Sequence, residues 1–216
     1  MSQTASQSRR AALALMTAAA LAAIGPSARA QGGAREPGAE QYVQVQAQRV
    51  LNVLADRSMS TQDKIHTFRG VVDQIADVPR ITRFVLGKYA RTATPTERAR
   101  FDPLFRTYAQ DVYETRLNEY HGETITVTGS VVRNPGDVIV NSTVGGGKLS
   151  KPAHVGWRVM SAGSGWKIVD VEVSGVWLAI TQQQDFVSTI DNAHGDVNVL
   201  IAQLQTDVKK HETARR

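Results

Sequence analysis

The side chains best suited to catalysis or metal binding are scattered along this sequence. No two of its five histidines have the i, i+4 spacing with which a helix presents a metal site: His66, His121, His154, His194 and His211. The 216 residues include no cysteine, which excludes disulfides, thiol catalysis and thiolate-bound metals. We therefore expect no metal site and no catalytic thiol.

Two carboxylates come closest to an acid–base pair. Asp170 and Glu172 share one face of a predicted strand, as two catalytic carboxylates would. An exposed strand face explains them more simply. The chain also has no Gly-x-Ser-x-Gly nucleophile elbow. The sequence favours a protein that is not an enzyme and has no catalytic residues.

Aromatic side chains are concentrated between residues 78 and 125. Seven lie there, mostly at helical spacing, and none is beside a recognisable catalytic group: Phe84, Tyr89, Phe101, Phe105, Tyr108, Tyr113 and Tyr120. This combination is typical of a protein that holds an apolar ligand. Spacing alone favours the simpler interpretation, that these side chains fill a core.

Composition places the chain among ordinary globular proteins. Hydrophobic residues make up 42%, enough for a core, and the length suits one domain. The pI of about 9.7 depends partly on Arg9, Arg10 and Arg29, which lie in a stretch without acidic residues. Without these three, 22 of the 25 basic residues remain, against 20 acidic residues, which gives a net charge of +2. The balance gives no electrostatic reason to expect a nucleic-acid partner.

Residues 1–30 have the three parts of an export signal. Arg9 and Arg10 are followed by an apolar run from Ala11 to Ile24, and residues 28–30 form a small-x-small cleavage site. We expect cleavage after Ala30 and a soluble protein in a bacterial periplasm. A retained membrane anchor is the alternative. Ser8, Arg9 and Arg10 also resemble a twin-arginine signal.

The rest of the chain is predicted to begin with helices. Residues 31–40 are polar and rich in glycine, and they predict a flexible lead-in to a single domain, residues 41–210. Apolar residues then recur at helical spacing, and Ser60 and Thr94 are predicted to begin helices with an acidic residue three positions later. Two more helices are predicted at the end, 181–191 and 197–209, with Asp196 capping the second.

Between the helices the apolar period changes from 3.6 to 2. Four strands are predicted, over 124–132, 137–144, 155–159 and 166–173, joined by short turns that favour an antiparallel meander. Gly175 is predicted to turn the chain out of the sheet. The fold class is α+β: a curved antiparallel sheet wrapped by N-terminal and C-terminal helices, with an apolar cavity between sheet and helices.

Several short motifs, taken together, resemble the MlaC family. The first runs from Phe84 to Tyr89, with Pro95 and Phe101 following. The later ones are Trp157-Arg158-Val159, Gly165 to Val171, Gly175-Val176, Leu178-Ala179 and Asp185-Phe186. The likeness covers about residues 41–204, and the order and spacing of the motifs carry it. Ala90, Trp177 and Gln183 depart from the family pattern.

The resemblance implies a periplasmic phospholipid carrier. Such a protein moves lipid between the outer membrane and an inner-membrane ABC transporter, as part of a system that maintains outer-membrane lipid asymmetry and contributes to toluene tolerance. Its partners would be an outer-membrane lipoprotein complex and the MCE-domain component of the transporter. Phospholipid would be the cargo, and no cofactor is implied.

The walls of the lipid site are predicted from both halves of the fold. The helices would contribute Phe84, Leu86, Tyr89, Phe105, Tyr108, Val112 and Tyr113. The sheet would contribute Ile125, Val127, Val140, Trp157, Val159, Val169 and Val171. Arg158 and Lys167 are candidate neighbours of the head group, with a solvated strand face as the alternative. A non-enzymatic periplasmic adaptor that encloses no ligand is the alternative function, and it predicts a filled interior.

Overall fold

A computed structural model of the protein describes residues 34–117 and 120–214, except for the side chains of residues 113–117 and 214. The predicted export signal lies outside these ranges. The helices are α1 (Pro37–Ala55), α2 (Thr61–Ile75), α3 (Val78–Val85), α4 (Pro95–Leu117), α5 (Leu178–Asn192) and α6 (Val197–Ala214), with a 3-10 turn at Gly87–Arg91. Within the described ranges, no helix is both long and apolar enough to cross a bilayer.

Short polar side chains begin four of the helices. Ser60 accepts a hydrogen bond from the Asp63 amide at 3.1 Å. Thr94 and Glu97 cap α4 reciprocally, through bonds of 2.7 Å and 3.2 Å. Asp77 caps α3 and Asp196 caps α6. The predicted caps at Ser60, Thr94 and Asp196 are confirmed, because each satisfies amides that the helix itself leaves unpaired.

The first helix begins earlier than the sequence predicts. It starts at Pro37, inside the segment 31–40 that was predicted as a flexible lead-in. The Glu36 amide donates to the Ser130 hydroxyl at 2.8 Å, and the Val132 amide donates to the Ala34 carbonyl at 3.0 Å. These long-range bonds hold residues 34–36 against the sheet, and local composition gives no signal for such contacts.

The strands form one open antiparallel meander in chain order: β1 (Glu123–Asn134), β2 (Asp137–Gly146), β3 (Ala153–Ala162), β4 (Gly165–Val173) and β5 (Val176–Trp177). Four of them match the prediction. The fifth arises because Ser174 and Gly175, both with positive φ, turn the chain back onto β4. The chain therefore leaves the sheet two residues later than Gly175.

The described residues form two apolar clusters. The sheet cluster joins α1 and α2 to one side of the sheet, here the inner face, through Val43, Val71, Val138, Val140, Val159 and Ile168. The helix cluster joins the 3-10 turn to α3, α4, α5 and α6 through residues such as Leu86, Phe101, Phe186 and Leu200. The opposite side of the sheet is the outer face, where α5 begins: the Ala179 amide donates to Asp170 of β4 at 2.8 Å.

The link between α2 and α3 runs along the edge of β4. Ala76 bridges Ile168 in parallel, and the Asp77 amide donates to the Ile168 carbonyl at 2.9 Å. Two ion pairs join α2 to α4: Arg69 with Asp111 at 3.0 Å, and Asp73 with Arg106.

Candidate functional site

The inner face changes character along its strands. Val138, paired with Val159 across β2 and β3, is buried, as is Val140. Towards the end of the sheet where β1 begins and β4 ends, here the loop end, Ile125 and Val155 on this face are also buried, but four aliphatic and aromatic side chains are only half-buried: Val127, Val144, Trp157 and Val171. This open apolar wall can contact an apolar ligand without rearrangement of the sheet.

Few polar groups interrupt the inner face. The Trp157 indole donates to the Ser142 hydroxyl at 2.9 Å, which satisfies both inside the sheet cluster. Gln44 of α1 accepts from the Val127 amide at 3.0 Å. The side-chain oxygen of Gln46, also on α1, is buried and has no hydrogen-bond partner among the described residues. A wall of this kind suits hydrocarbon and offers little to hold a charge.

The aromatic residues of α4 pack within the helix cluster, around one ring of α5. Phe186 lies 6.0 Å from Phe101, 5.9 Å from Phe105 and 6.3 Å from Tyr108, measured between ring centroids. Tyr89 donates a hydrogen bond to Asp191 near the end of α5. These contacts show that the aromatic stretch found in the sequence builds the core of a helical bundle.

A cavity of about 270 Å³ lies on the outer face, between α3 and strands β3 and β4. It is lined by Arg80, Ile81, Phe84, Arg158, Met160, Val169 and Asp170. This volume is just below the roughly 300–1,000 Å³ of typical ligand sites. The cavity is large enough for a small polar group, but not for two acyl chains.

The charged residues of this cavity are held by neighbouring groups. Arg158 donates two bonds of 2.9 Å to Asp137, and this ion pair lowers the pKa of the Asp137 carboxyl. Asp170 accepts from the Val171 and Ala179 amides, each at 2.8 Å. Burial nevertheless raises the pKa of Asp170. Asp170 and Arg158 are paired in the β3–β4 register, yet Arg158 forms its hydrogen bonds with Asp137 and Asp170 with backbone amides.

The predicted wall residues are divided between the two clusters. Val127, Val140, Trp157, Val159 and Val171 belong to the sheet cluster, and Phe84, Leu86, Tyr89, Phe105 and Tyr108 to the helix cluster. Ile125 is buried on the inner face, Val169 lines the outer cavity with Phe84, and Val112 is 36% exposed. The side chain of Tyr113 lies outside the described residues.

The two candidate head-group neighbours have different surroundings. Arg158 reaches the outer cavity, whereas the Lys167 ammonium donates to the Gln74 carbonyl. The sequence did not identify Arg80, Ile81 and Met160 as cavity residues. The spacing of Arg80, Ile81 and Phe84 puts them within about one turn of α3 and could have indicated a shared surface. Spacing alone does not show that this turn faces β3 and β4.

The enzyme candidates do not assemble into a site in the part of the chain that the structure covers. No group of three or more metal-ligating side chains is present there. His154 lies 3.4 Å from Glu172 on the neighbouring strand. Asp170 was expected on an exposed strand face, but it is only 7% exposed, because α5 begins over it and takes its carboxylate as a cap.

Comparison with known proteins identifies the family. The model of the MlaC family, described as MlaC protein, matches residues 44–206. The chain belongs to the MlaC family. MlaC proteins are periplasmic lipid carriers and are not a known enzyme family. The match spans the whole sheet, most of both apolar clusters and at least part of every helix.

A solved structure confirms the MlaC fold. The phospholipid-binding protein from Ralstonia solanacearum, solved in complex with a phospholipid, aligns with a TM-score of 0.67 and 24% sequence identity. The alignment covers 79% of this chain and 98% of that one. At this identity, the likeness establishes the shared α+β fold with its open sheet.

Proposed function

We propose that this protein is a periplasmic phospholipid carrier that shuttles lipid between the outer membrane and an inner-membrane ABC transporter. The observation that carries the proposal is the match to the MlaC family over residues 44–206. The half-buried apolar wall of the inner face supports it, because hydrocarbon chains need a wide apolar surface. The Ralstonia protein of the same fold was solved with a phospholipid bound.

We propose that the acyl chains lie between the sheet and the helices, against the open wall of the inner face. Val127, Trp157 and Val171 of the predicted set form this wall, with Val144 beside them. The opposite side would come from α1 and α2, which pack on this face, because the predicted residues of the helix cluster lie away from it. The outer cavity, about 270 Å³, is too small for a complete lipid, so we propose the inner face as the site of the acyl chains.

Transfer must be direct from protein to protein or from protein to membrane. Two acyl chains carry roughly 30 methylene groups, and exposing them to water costs on the order of 24 kcal/mol. A bilayer or a partner's apolar channel offers the same refuge, so net transfer between them is nearly balanced. The proposed partners are therefore an outer-membrane lipoprotein complex and the MCE-domain protein of the transporter.

A non-enzymatic adaptor without a ligand is the second candidate. The observation in its favour is the dense packing of the two clusters, in which Val43, Phe101 and Ile190 are fully buried. The two functions differ in what co-purifies with the protein. Only the carrier requires bound phospholipid.

Mass spectrometry of the protein purified from bacterial periplasm tests the proposal. We expect stoichiometric phospholipid in the organic extract, and uptake of labelled phospholipid from vesicles after the bound lipid has been removed. A folded protein that carries no lipid and takes up none would favour the adaptor.

A further inference from the structure

Exposed aliphatic side chains are concentrated at the loop end of the sheet. Val173 and Val176 flank the β4–β5 turn and are 42% and 51% exposed, and Ile180 in the first turn of α5 is 39% exposed. Leu149, in the loop between β2 and β3, is 42% exposed. These four residues, together with Lys148 and Lys151, are called the rim. Single exposed aliphatic residues are common, but three within eight positions of one hairpin and helix are not.

The two loops that carry the rim lie side by side. Val155 near the start of β3 pairs with Val173 at the end of β4. The Ser174 amide donates to the His154 carbonyl at 3.2 Å, which joins the β4–β5 turn to the strand that follows Leu149. Val173 is also two positions from Val171, on the same side of β4. Val173 and its β5 partner Val176 therefore connect the rim to the open apolar wall of the inner face.

Positive charge accompanies this apolar surface. Lys148 and Lys151 are exposed on either side of Leu149, and neither forms an ion pair with another described residue. The carboxylates nearby are engaged elsewhere. Glu123 accepts from the His121 amide at 2.7 Å, and Glu172 accepts from the Gly175 amide at 2.7 Å. Both lysines are therefore exposed cations, and the hydrogen bonds of Glu123 and Glu172 are to backbone amides.

We propose that the rim docks on the surface of a bilayer that contains anionic lipid. Aliphatic residues at turn tips can enter the membrane–water interface. The negative surface potential of the bilayer attracts lysine, and each lysine raises the affinity of the protein for the bilayer by about tenfold or less. The inference rests on the proposed carrier function, because docking there would bring the open wall next to the lipid source. Protein interfaces favour aromatic residues and arginine, whereas this rim consists of valine, leucine, isoleucine and lysine.

Co-sedimentation with vesicles tests the proposal on the full mature chain. The vesicles contain phosphatidylcholine alone or phosphatidylcholine with phosphatidylglycerol. We expect tighter binding when phosphatidylglycerol is present, and weaker binding as salt rises. The double variant Val176→Ser/Ile180→Ser should weaken binding to both vesicle types by about tenfold or more.

The lysines of the rim are tested by a variant that should affect binding only to vesicles with anionic lipid. Lys148→Gln/Lys151→Gln should weaken binding to the phosphatidylglycerol vesicles by about ten- to thirtyfold and leave binding to phosphatidylcholine unchanged. Matched controls are Val45→Ser/Val199→Ser, which removes exposed aliphatic side chains from α1 and α6, and Lys209→Gln/Lys210→Gln at the end of α6. Both controls should bind like the unmodified protein.

The outcomes separate docking from lipid carriage. Lipid-loaded protein that does not bind either vesicle type, or whose binding is the same in rim and control variants, overturns docking on a bilayer and assigns the rim to a protein partner or to no partner. Protein that binds vesicles through the rim but never carries lipid overturns the carrier function alone. Equal loss in rim and control variants also contradicts the proposal, because it indicates non-specific adsorption.

Discussion

Arg158 and Asp137 show how a single pair of side chains fixes the outer face of the sheet. Asp137 is the first residue of β2. Its carboxylate is almost buried and accepts two hydrogen bonds from the Arg158 guanidinium. Arg133 adds a longer contact of 3.6 Å. A two-bond pair of this geometry is among the stronger polar interactions in proteins, and loss of one partner leaves the other charge without compensation.

Asp137→Asn is expected to lower the free energy of unfolding at pH 7 by about 2 kcal/mol. The Arg158 guanidinium lowers the pKa of Asp137 in the folded state. The stabilisation is therefore fully present above the unfolded pKa and is lost as the pH falls through the lower, folded value. Urea unfolding at pH 7 and near pH 2 should show a gap between variant and parent that closes in acid.

Asp185→Asn is the control for that measurement, because Asp185 is exposed on α5. It should leave the unfolding free energy nearly unchanged at both pH values. If the gap between Asp137→Asn and the parent persists in acid, the ion pair is not its source.

At the scale of elements, the contact between α3 and α5 depends on one glycine. Gly87 has a φ of +54°, and a Cβ atom there would lie 2.7 Å from a methyl carbon of Val187. The Gln183 amide donates to the Phe84 carbonyl at the end of α3. Close approach and positive φ together explain why the helix stops here and why α5 can pack against the turn.

Gly87→Ala should therefore destabilise the protein by about 1–3 kcal/mol, through backbone strain and the clash with Val187. Gly70→Ala is the matched comparison. Gly70 lies inside α2 with no atom within 4 Å of an added Cβ, so the same change should stabilise by about 0.5–1 kcal/mol. Urea or thermal unfolding of both variants checks the opposite signs; the same sign at both positions would refute the argument.

The two faces of β1 provide a test of where the lipid lies. Val127 faces the sheet cluster, whereas Val131 on the same strand is 42% exposed on the outer face. Val127→Arg should reduce co-purified phospholipid severalfold, because a charge in the hydrocarbon site is costly. Val131→Arg should leave the lipid load unchanged.

The comparison requires that both variants fold, which circular dichroism and a cooperative melt establish. A folded Val127→Arg protein with a full lipid load would remove β1 from the proposed wall. Val171→Asp on β4 tests the same wall from the other side of the sheet and should also reduce the load.

At the scale of the whole molecule, binding of lipid should stabilise the fold. A ligand that binds only the folded state at a hundred times its Kd adds about 2.7 kcal/mol. For a domain of this size, that corresponds to a rise in Tm of roughly 5–10 °C. Removing the lipid should lower Tm by this amount, and reloading from vesicles should restore it, as measured by calorimetry.

Val127→Arg provides the control for this experiment as well. When the variant is delipidated and reloaded under the conditions used for the parent protein, its Tm should change little. A parent protein whose Tm does not respond to lipid would indicate that phospholipid does not occupy the folded interior.

Much of the secondary structure could be predicted because its signals are local. Three helix starts are marked by a side chain that accepts a hydrogen bond from an amide two or three positions later: Ser60, Thr94 and Asp196. Period-2 alternation and short turns predicted β1–β4 and their antiparallel order. The start of α1 at Pro37 was missed because it depends on Ser130, 94 positions from Glu36.

The candidate site was less predictable, because periodicity shows which residues are apolar but not which element they face. The sequence by itself determined the helix caps at Ser60, Thr94 and Asp196, the order of the first four strands, the absence of thiol chemistry and the family motifs. Only the tertiary structure decided that Phe105 and Tyr108 pack around Phe186, while Val127 and Trp157 face α1 and α2. The reason is physical: burial of an apolar side chain gains similar free energy against any apolar partner, so the partner is chosen by how the elements pack together.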